Sequence, residues 1–189
     1  MPRILAFSGS ARKDSFNQRL VTIAARAAEE AGAEVTLLNL ADYPLPIFNE
    51  DLEAEGTPDN ALKLKKLFLA HDGLLISCPE YNSSITPLLK NTIDWVSRPI
   101  EGEPRLAAYQ YKVATLMAAS PGALGGLRGL VHVRAILQNI GVTVLPGQVA
   151  VGGAAGAFAA DGSLKDEKQQ ASIASLGSGL ANYLQRLSD

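Results

Sequence analysis

Ile4-Leu5-Ala6-Phe7 runs directly into Ser8-Gly9-Ser10-Ala11-Arg12-Lys13-Asp14-Ser15-Phe16-Asn17, and that junction decides the fold. Four consecutive apolar residues read as a strand buried on both faces. The polar stretch reads as a turn. From about residue 15 to 31, Leu20, Ile23, Ala24 and Ala27 recur on one helical face, with Gly32 as a stop. A strand that enters a helix through a short polar loop is the opening of a βαβ unit.

The same alternation continues along the chain. Strands are expected over residues 34–40, 73–78, 111–119 and 142–149, and helices over 60–71, 87–97, 128–139 and 164–187. Thr86 fits the N-cap of the helix at 87, and Pro87 suits a first turn that needs no N–H. Residues 42–58, with prolines and the acidic Glu50, Asp51, Glu53 and Glu55, read as a loop with little regular structure. The small, apolar stretch 151–162 reads as a packed loop rather than a linker. The order βαβαβαβαβα predicts an α/β fold, a parallel sheet with helices on both faces. Residues 1–189 are read as one domain.

Composition narrows the function. Hydrophobic residues make up 47% of the 189 residues and charged residues 19%, below the roughly 25% of ordinary soluble domains. Much of the chain is therefore expected in an interior or an interface. Lys+Arg number 17 and Asp+Glu 19, a net charge of -2. No basic excess exists to bind a phosphate backbone, so a nucleic-acid partner is not expected. The one cysteine, Cys78, allows neither an internal disulfide nor a cysteine-rich zinc site, and no metal is expected. The apolar run after Met1-Pro2-Arg3 is too short for a secretory leader, and no run approaches the roughly 18 apolar residues of a membrane span. A cytoplasmic, reducing setting is expected.

In open parallel sheets ligands bind beyond the carboxyl ends of the strands. Three loops fall there: 8–17, Pro79-Glu80-Tyr81-Asn82-Ser83-Ser84, and Ser120-Pro121-Gly122-Ala123-Leu124-Gly125-Gly126. The first opens a helix whose free N–H groups suit a phosphate. Ser10, Ser15 and Asn17 can donate to it, and Arg12 can supply charge. Charge-assisted bonds of this kind contribute about 1.5–3 kcal/mol each. Ser15 with Gln18 three residues on is equally the pattern of a capping box. The second loop offers a carboxylate, an aromatic face and an amide for a flat heterocycle, or a plain turn with Tyr81 packed at its edge. The third permits close backbone approach to a planar ligand, or is merely flexible. No Gly-x-Gly-x-x-Gly and no Gly-Lys-Ser/Thr occurs, and no cysteine precedes the first helix. Dinucleotide, P-loop and cysteine-phosphatase loops are thereby set aside.

Taken in order, these loops resemble the NADPH-dependent FMN reductase family of flavodoxin-like flavoproteins, which includes quinone, azo-dye and chromate reductases. The matching residues are Gly9-Ser10-Ala11-Arg12-Lys13-Asp14-Ser15-Phe16-Asn17, Pro79-Glu80-Tyr81-Asn82 and Leu89-Lys90-Asn91-Thr92-Ile93-Asp94-Trp95. Pro44-Leu45-Pro46, Ser120-Pro121-Gly122 and Gly125-Gly126-Leu127-Arg128 extend the match. Thr86-Pro87 departs from it, since many members carry Pro-Gly there.

The resemblance implies a three-layer flavodoxin-like fold with a five-stranded parallel sheet of order 2-1-3-4-5. It implies that Ser10, Arg12, Ser15 and Asn17 hold an FMN phosphate, with Phe16 contributing backbone. Pro79, Glu80, Tyr81, Asn82 and Ser83 would line the isoalloxazine, and Ser120, Gly122 and Gly125 would close the other side. NADPH or NADH would be co-substrate, small molecules the electron acceptors, and a homodimer or homotetramer the assembly. A flavodoxin-like electron carrier and a non-catalytic flavin-binding regulator are the competing readings. His71 and His132 are expected to be structural, Lys90 and Asp94 to pair across one helix turn, and Arg128 to reach either a cofactor or a neighbouring subunit.

Overall fold

The computed structural model describes residues 1–188. Strands are β1 (Arg3–Ser8), β2 (Glu34–Leu38), β3 (Gly73–Ser77), β4 (Glu80–Tyr81), β5 (Ser84–Ile85), β6 (Val113–Ala119) and β7 (Thr143–Val151). Helices are α1 (Phe16–Glu30), α2 (Glu50–Glu55), α3 (Asp59–Ala70), α4 (Pro87–Ser97), α5 (Leu127–Asn139), α6 (Ala154–Ala157) and α7 (Glu167–Ser188). Five strands form a parallel sheet in the order β2-β1-β3-β6-β7, which is 2-1-3-4-5 when only the sheet strands are counted. The order reverses between β1 and β3, so their carboxyl ends face the crevice where such folds bind ligands.

Period-two alternation divides the core into two layers. Leu5 and Phe7 of β1, Leu74 and Ile76 of β3, and Leu116 and Ala118 of β6 face α3, α4 and α5. Ile4, Ala6, Leu75 and Met117 face α1 and α7. Helices α1 and α7 lie close because small residues line their contact. A Cβ placed on Gly177 would overlap the Ala24 carbonyl.

Several boundaries differ from the sequence expectation. β2 stops at Leu38 because Asn39 turns the chain: its Oδ1 accepts from Ala41 N at 3.1 Å and starts a short 3-10 turn, Leu40–Asp42. Residues 42–58 are not wholly irregular, since α2 lies within them. Asn49 caps α2 through a bond from Asp51 N at 2.8 Å, and Glu50, Asp51 and Glu53 occupy its first turn. Acidic side chains suit the positive end of a helix. β6 begins at Val113, not 111, because Tyr111 takes a left-handed conformation with φ +65°. Within 151–162 the chain packs as expected, burying Ala154 and Phe158, but it forms α6 there. Helix α7 starts at Glu167 because Asp166 Oδ1 accepts from Lys168 N and Gln169 N.

Candidate active site

The three strand-end loops converge because buried polar groups tie their bases together. Asn17 does most of this. It sits at helical spacing with Leu20, Val21 and Ala24 and is buried with them. Its Oδ1 accepts from Ser77 Oγ at 2.8 Å and from Ala119 N at 2.9 Å, while its Nδ2 donates to Ala119 O at 2.8 Å. One amide thus joins α1 to the last residues of β3 and β6, from which the second and third loops spring. The sequence reading gave the Asn17 side chain to a phosphate. The structure turns it toward the strand ends, and its position on the apolar face of the helix was the signal for this.

The first loop leaves β1 at Gly9, whose N–H donates to Ser77 O at 2.9 Å. Ser15 is the N-cap of α1, and its Oγ accepts from Gln18 N at 3.3 Å. Only half of the capping box forms, because Gln18 Oε1 instead accepts from Ser8 Oγ at 2.8 Å. The N–H groups of Phe16 and Asn17 stand in the first turn, where no intrahelical acceptor exists. Ser10 Oγ accepts from Arg12 N at 3.2 Å. Arg12 is exposed, makes no salt bridge among the described residues, and lies 5.8 Å over the Phe16 ring. Phe16 stacks on Phe158, centroids 6.0 Å apart.

The second loop is a miniature antiparallel hairpin. Glu80 pairs with Ile85 and Tyr81 with Ser84. Asn82 and Ser83 turn the chain with φ of +50° and +68°. Two consecutive left-handed residues make the tight turn whose twist matches a hairpin. Pro79 is buried and Tyr81 is 53% exposed. The hairpin is braced by Glu80, whose side chain is 8% exposed. Its Oε2 accepts from Arg128 N at 3.0 Å and Gly129 N at 3.1 Å, and its Oε1 accepts from the Arg128 guanidinium at 2.6 Å. Gly126, the N-cap of α5, has no side chain to do this, so Glu80 caps α5 from another element. Burial would raise the Glu80 carboxyl, but the Arg128 guanidinium and the two N–H groups outweigh it and hold it below its ordinary value. Arg128, given by sequence to a cofactor or a neighbour, is engaged by Glu80.

The third loop packs tightly where it meets the sheet. A Cβ on Gly125 would lie 2.7 Å from Gly152 N, and one on Gly126 would lie 2.8 Å from Ala118 Cβ. Gly122 is exposed, with only Ser120 Oγ, at 3.8 Å, near its missing Cβ. Ser120 Oγ accepts from Gly122 N at 3.3 Å. The loops therefore frame an open ledge. A groove of about 470 Å³ between α1 and α7 shares only Lys13 and Ser15 with these loops.

Other singled-out residues have local duties. His71 is buried, bonded through Nδ1 to Leu67 O and through Nε2 to Thr36 Oγ1. His132 contacts Ser84 Oγ from an exposed face of α5. Lys90 and Asp94 pair on the surface at 2.8 Å. Trp95 is in the core, with its Nε1 donating to Pro46 O. Cys78 is fully buried, and burial pushes its thiol far above the ordinary range. A buried neutral thiol is unreactive.

A doubly wound sheet with a hydroxyl and arginine loop at a helix N-terminus and an aromatic hairpin beside it defines a flavodoxin-like binding protein. A family model described as NADPH-dependent FMN reductase matches residues 2–156. The chain belongs to that family, and with it to the NAD(P)H-dependent flavoenzymes. It is 34% identical over 186 residues to an NAD(P)H-dependent FMN reductase of Pseudomonas aeruginosa, covering 98% of this chain and 96% of that one. It is 35% identical over 164 residues to a quinone reductase of Pseudomonas putida, covering 84% and 82%. Among solved structures, the flavoenzyme NAD(P)H:(acceptor) oxidoreductase of Paracoccus denitrificans superposes with TM-score 0.80 at 30% identity, covering 98% of each chain. An archaeal flavodoxin matches at TM-score 0.64 and 10% identity over 97% of this chain and 99% of that one, a likeness of fold. No helix among the described residues is long and apolar enough to cross a membrane.

Proposed function

We propose that this chain is a one-domain, FMN-dependent NAD(P)H oxidoreductase that passes hydride from NADPH or NADH to small acceptors. Quinones, free flavins, azo compounds and chromate are the acceptor classes, and quinones are favoured by the 35% identical relative. The observation that carries the reading is the convergence of the three loops on one ledge through Asn17, Ser77 and Ala119.

The donor set fits FMN. Arg12 has no carboxylate partner among the described residues, Ser10 stands beside it, and the first-turn N–H groups of Phe16 and Asn17 point out of the helix. These groups, with Ser15, hold the phosphate, and the Asn17 side chain fixes the frame. Pro79, Tyr81, Asn82 and Ser83 form one wall for the ring, with Glu80 setting the wall's position from behind. Ser120, Gly122 and Gly125 border the other side. Bound FMN supplies two-electron chemistry at its N5 atom. Backbone N–H groups of the second and third loops would supply hydrogen-bond donors to the ring of a bound flavin. Cys78 takes no part.

Tyr81, Leu124, Leu127 and Val131 expose 53, 53, 43 and 58% of their surface beside this ledge. An apolar rim of this kind supports a homodimer or homotetramer in which a second copy closes the site. The single buried cysteine and the absence of a membrane-length helix among the described residues support a cytoplasmic setting.

Steady-state kinetics test the reading. FMN-loaded protein should oxidise NADPH with an added quinone, and reciprocal plots at several quinone concentrations should be parallel, since one ledge serves both substrates in turn. Intersecting lines would rule out the shared ledge, and no turnover would rule out the enzyme. Arg12→Ala should lose FMN occupancy more than it slows hydride transfer in the molecules still loaded.

A further inference from the structure

We infer that Thr86 is a positioning residue that sets the phosphate loop relative to the ring wall. The inference rests on the phosphate assignment proposed above. Thr86 is 2% exposed. Its hydroxyl donates to Gly9 O at 2.7 Å and accepts from Leu89 N at 3.2 Å, the two roles that a hydroxyl can fill at once. Both polar groups of Gly9 are then fixed, the N–H by Ser77 O and the carbonyl by Thr86.

Beyond Gly9 the first loop has little else to hold it. Ala11, Arg12, Lys13 and Asp14 are exposed, and Ser15 is the next buried residue. The direction in which the loop leaves β1 is therefore set at Gly9. The contact is tight: a Cβ on Gly9 would lie 2.9 Å from Leu89 Cβ and 3.2 Å from Thr86 Oγ1. Thr86 also follows directly on Ile85, the last residue of the hairpin. One residue is thus joined by a peptide bond to the ring wall and by a hydrogen bond to the phosphate loop. It fixes the span between the two ends of the ledge.

The test uses apoprotein and measures flavin fluorescence on titration with FMN and with riboflavin, which lacks the phosphate. Thr86→Val should weaken FMN by about tenfold and riboflavin by about twofold or less, since loss of the buried Thr86–Gly9 hydrogen bond frees the loop at the phosphate end only. Thr86→Ser, which keeps the hydroxyl, should restore the wild-type ratio of the two affinities. Thr86→Ala is a second variant for the case that valine does not fold, and it should give the valine ratio. If FMN and riboflavin weaken by the same factor, Thr86 only supports the fold and the inference is overturned. If wild type binds both flavins equally, the phosphate assignment fails, and this inference fails with it.

Discussion

The Asn17 side chain ties the bases of all three loops together without facing the ledge. Its amide satisfies Ser77 Oγ and both polar groups of Ala119, all of them buried. Removing a partner from buried groups costs about 1–3 kcal/mol for each group left unpaired. Asn17→Ala should therefore lower unfolding free energy by about 3 kcal/mol or more, read from urea denaturation of apoprotein. Asn17→Asp keeps the acceptor and loses the donor to Ala119 O, so it should also destabilise. Ser10, Ser15 and Arg12 are assigned to a phosphate by residue type, and the proposed function keeps that assignment. Residue type does not announce the partners of the Asn17 side chain, which burial directs to Ser77 and Ala119. Glu80 shows the same effect. As a carboxylate after a strand it suggested a ligand, but its oxygens meet Arg128 and Gly129, 48 and 49 residues further along the chain.

At the level of elements, boundaries are set by caps and by close approaches. Thr86 and Pro87 announced the start of α4, and the structure begins that helix there. α5 gave no such sign, because its cap is supplied by Glu80 across the chain. This cap has a pH signature. The Glu80 carboxyl is held below its ordinary value in the fold, so its contribution is complete above the unfolded value of about 4.3 and is lost as pH falls through the lower, folded value. Glu80→Gln should lower stability near pH 7 by about 1 kcal/mol, the usual worth of a cap. The gap from wild type should narrow below about pH 4 when melting temperature is followed against pH. The contact of α1 with α7 depends on the missing side chain of Gly177. Gly177→Ala should destabilise by about 1–3 kcal/mol through overpacking, despite alanine's better helix propensity, and a thermal melt reads the difference. The hairpin of β4 and β5 could not be read as strands, since two residues per strand carry no periodicity.

Over the whole molecule, the apolar share of the composition divides between two core layers and an exposed rim. Val131 and Leu127 stand one helical turn apart on α5, and Leu124 lies just before them, its carbonyl accepting from Leu127 N at 3.0 Å. If a second copy covers this rim, Val131→Glu should shift the protein toward the monomer in sedimentation velocity, since a buried unpaired charge opposes association. Flavin retention should fall with it. An unchanged sedimentation coefficient would place the interface elsewhere. The order of strands and helices, the parallel sheet, and the three loops at its carboxyl edge are readable from local sequence alone. Those follow from local periodicity and from the parallel direction of the strands, which puts every strand-to-helix loop at the same carboxyl edge. Which polar side chains turn into the frame is settled by packing between distant elements. Asn17, Glu80 and Thr86 each have a partner 48 to 102 positions away, and no local pattern encodes a partner at that distance.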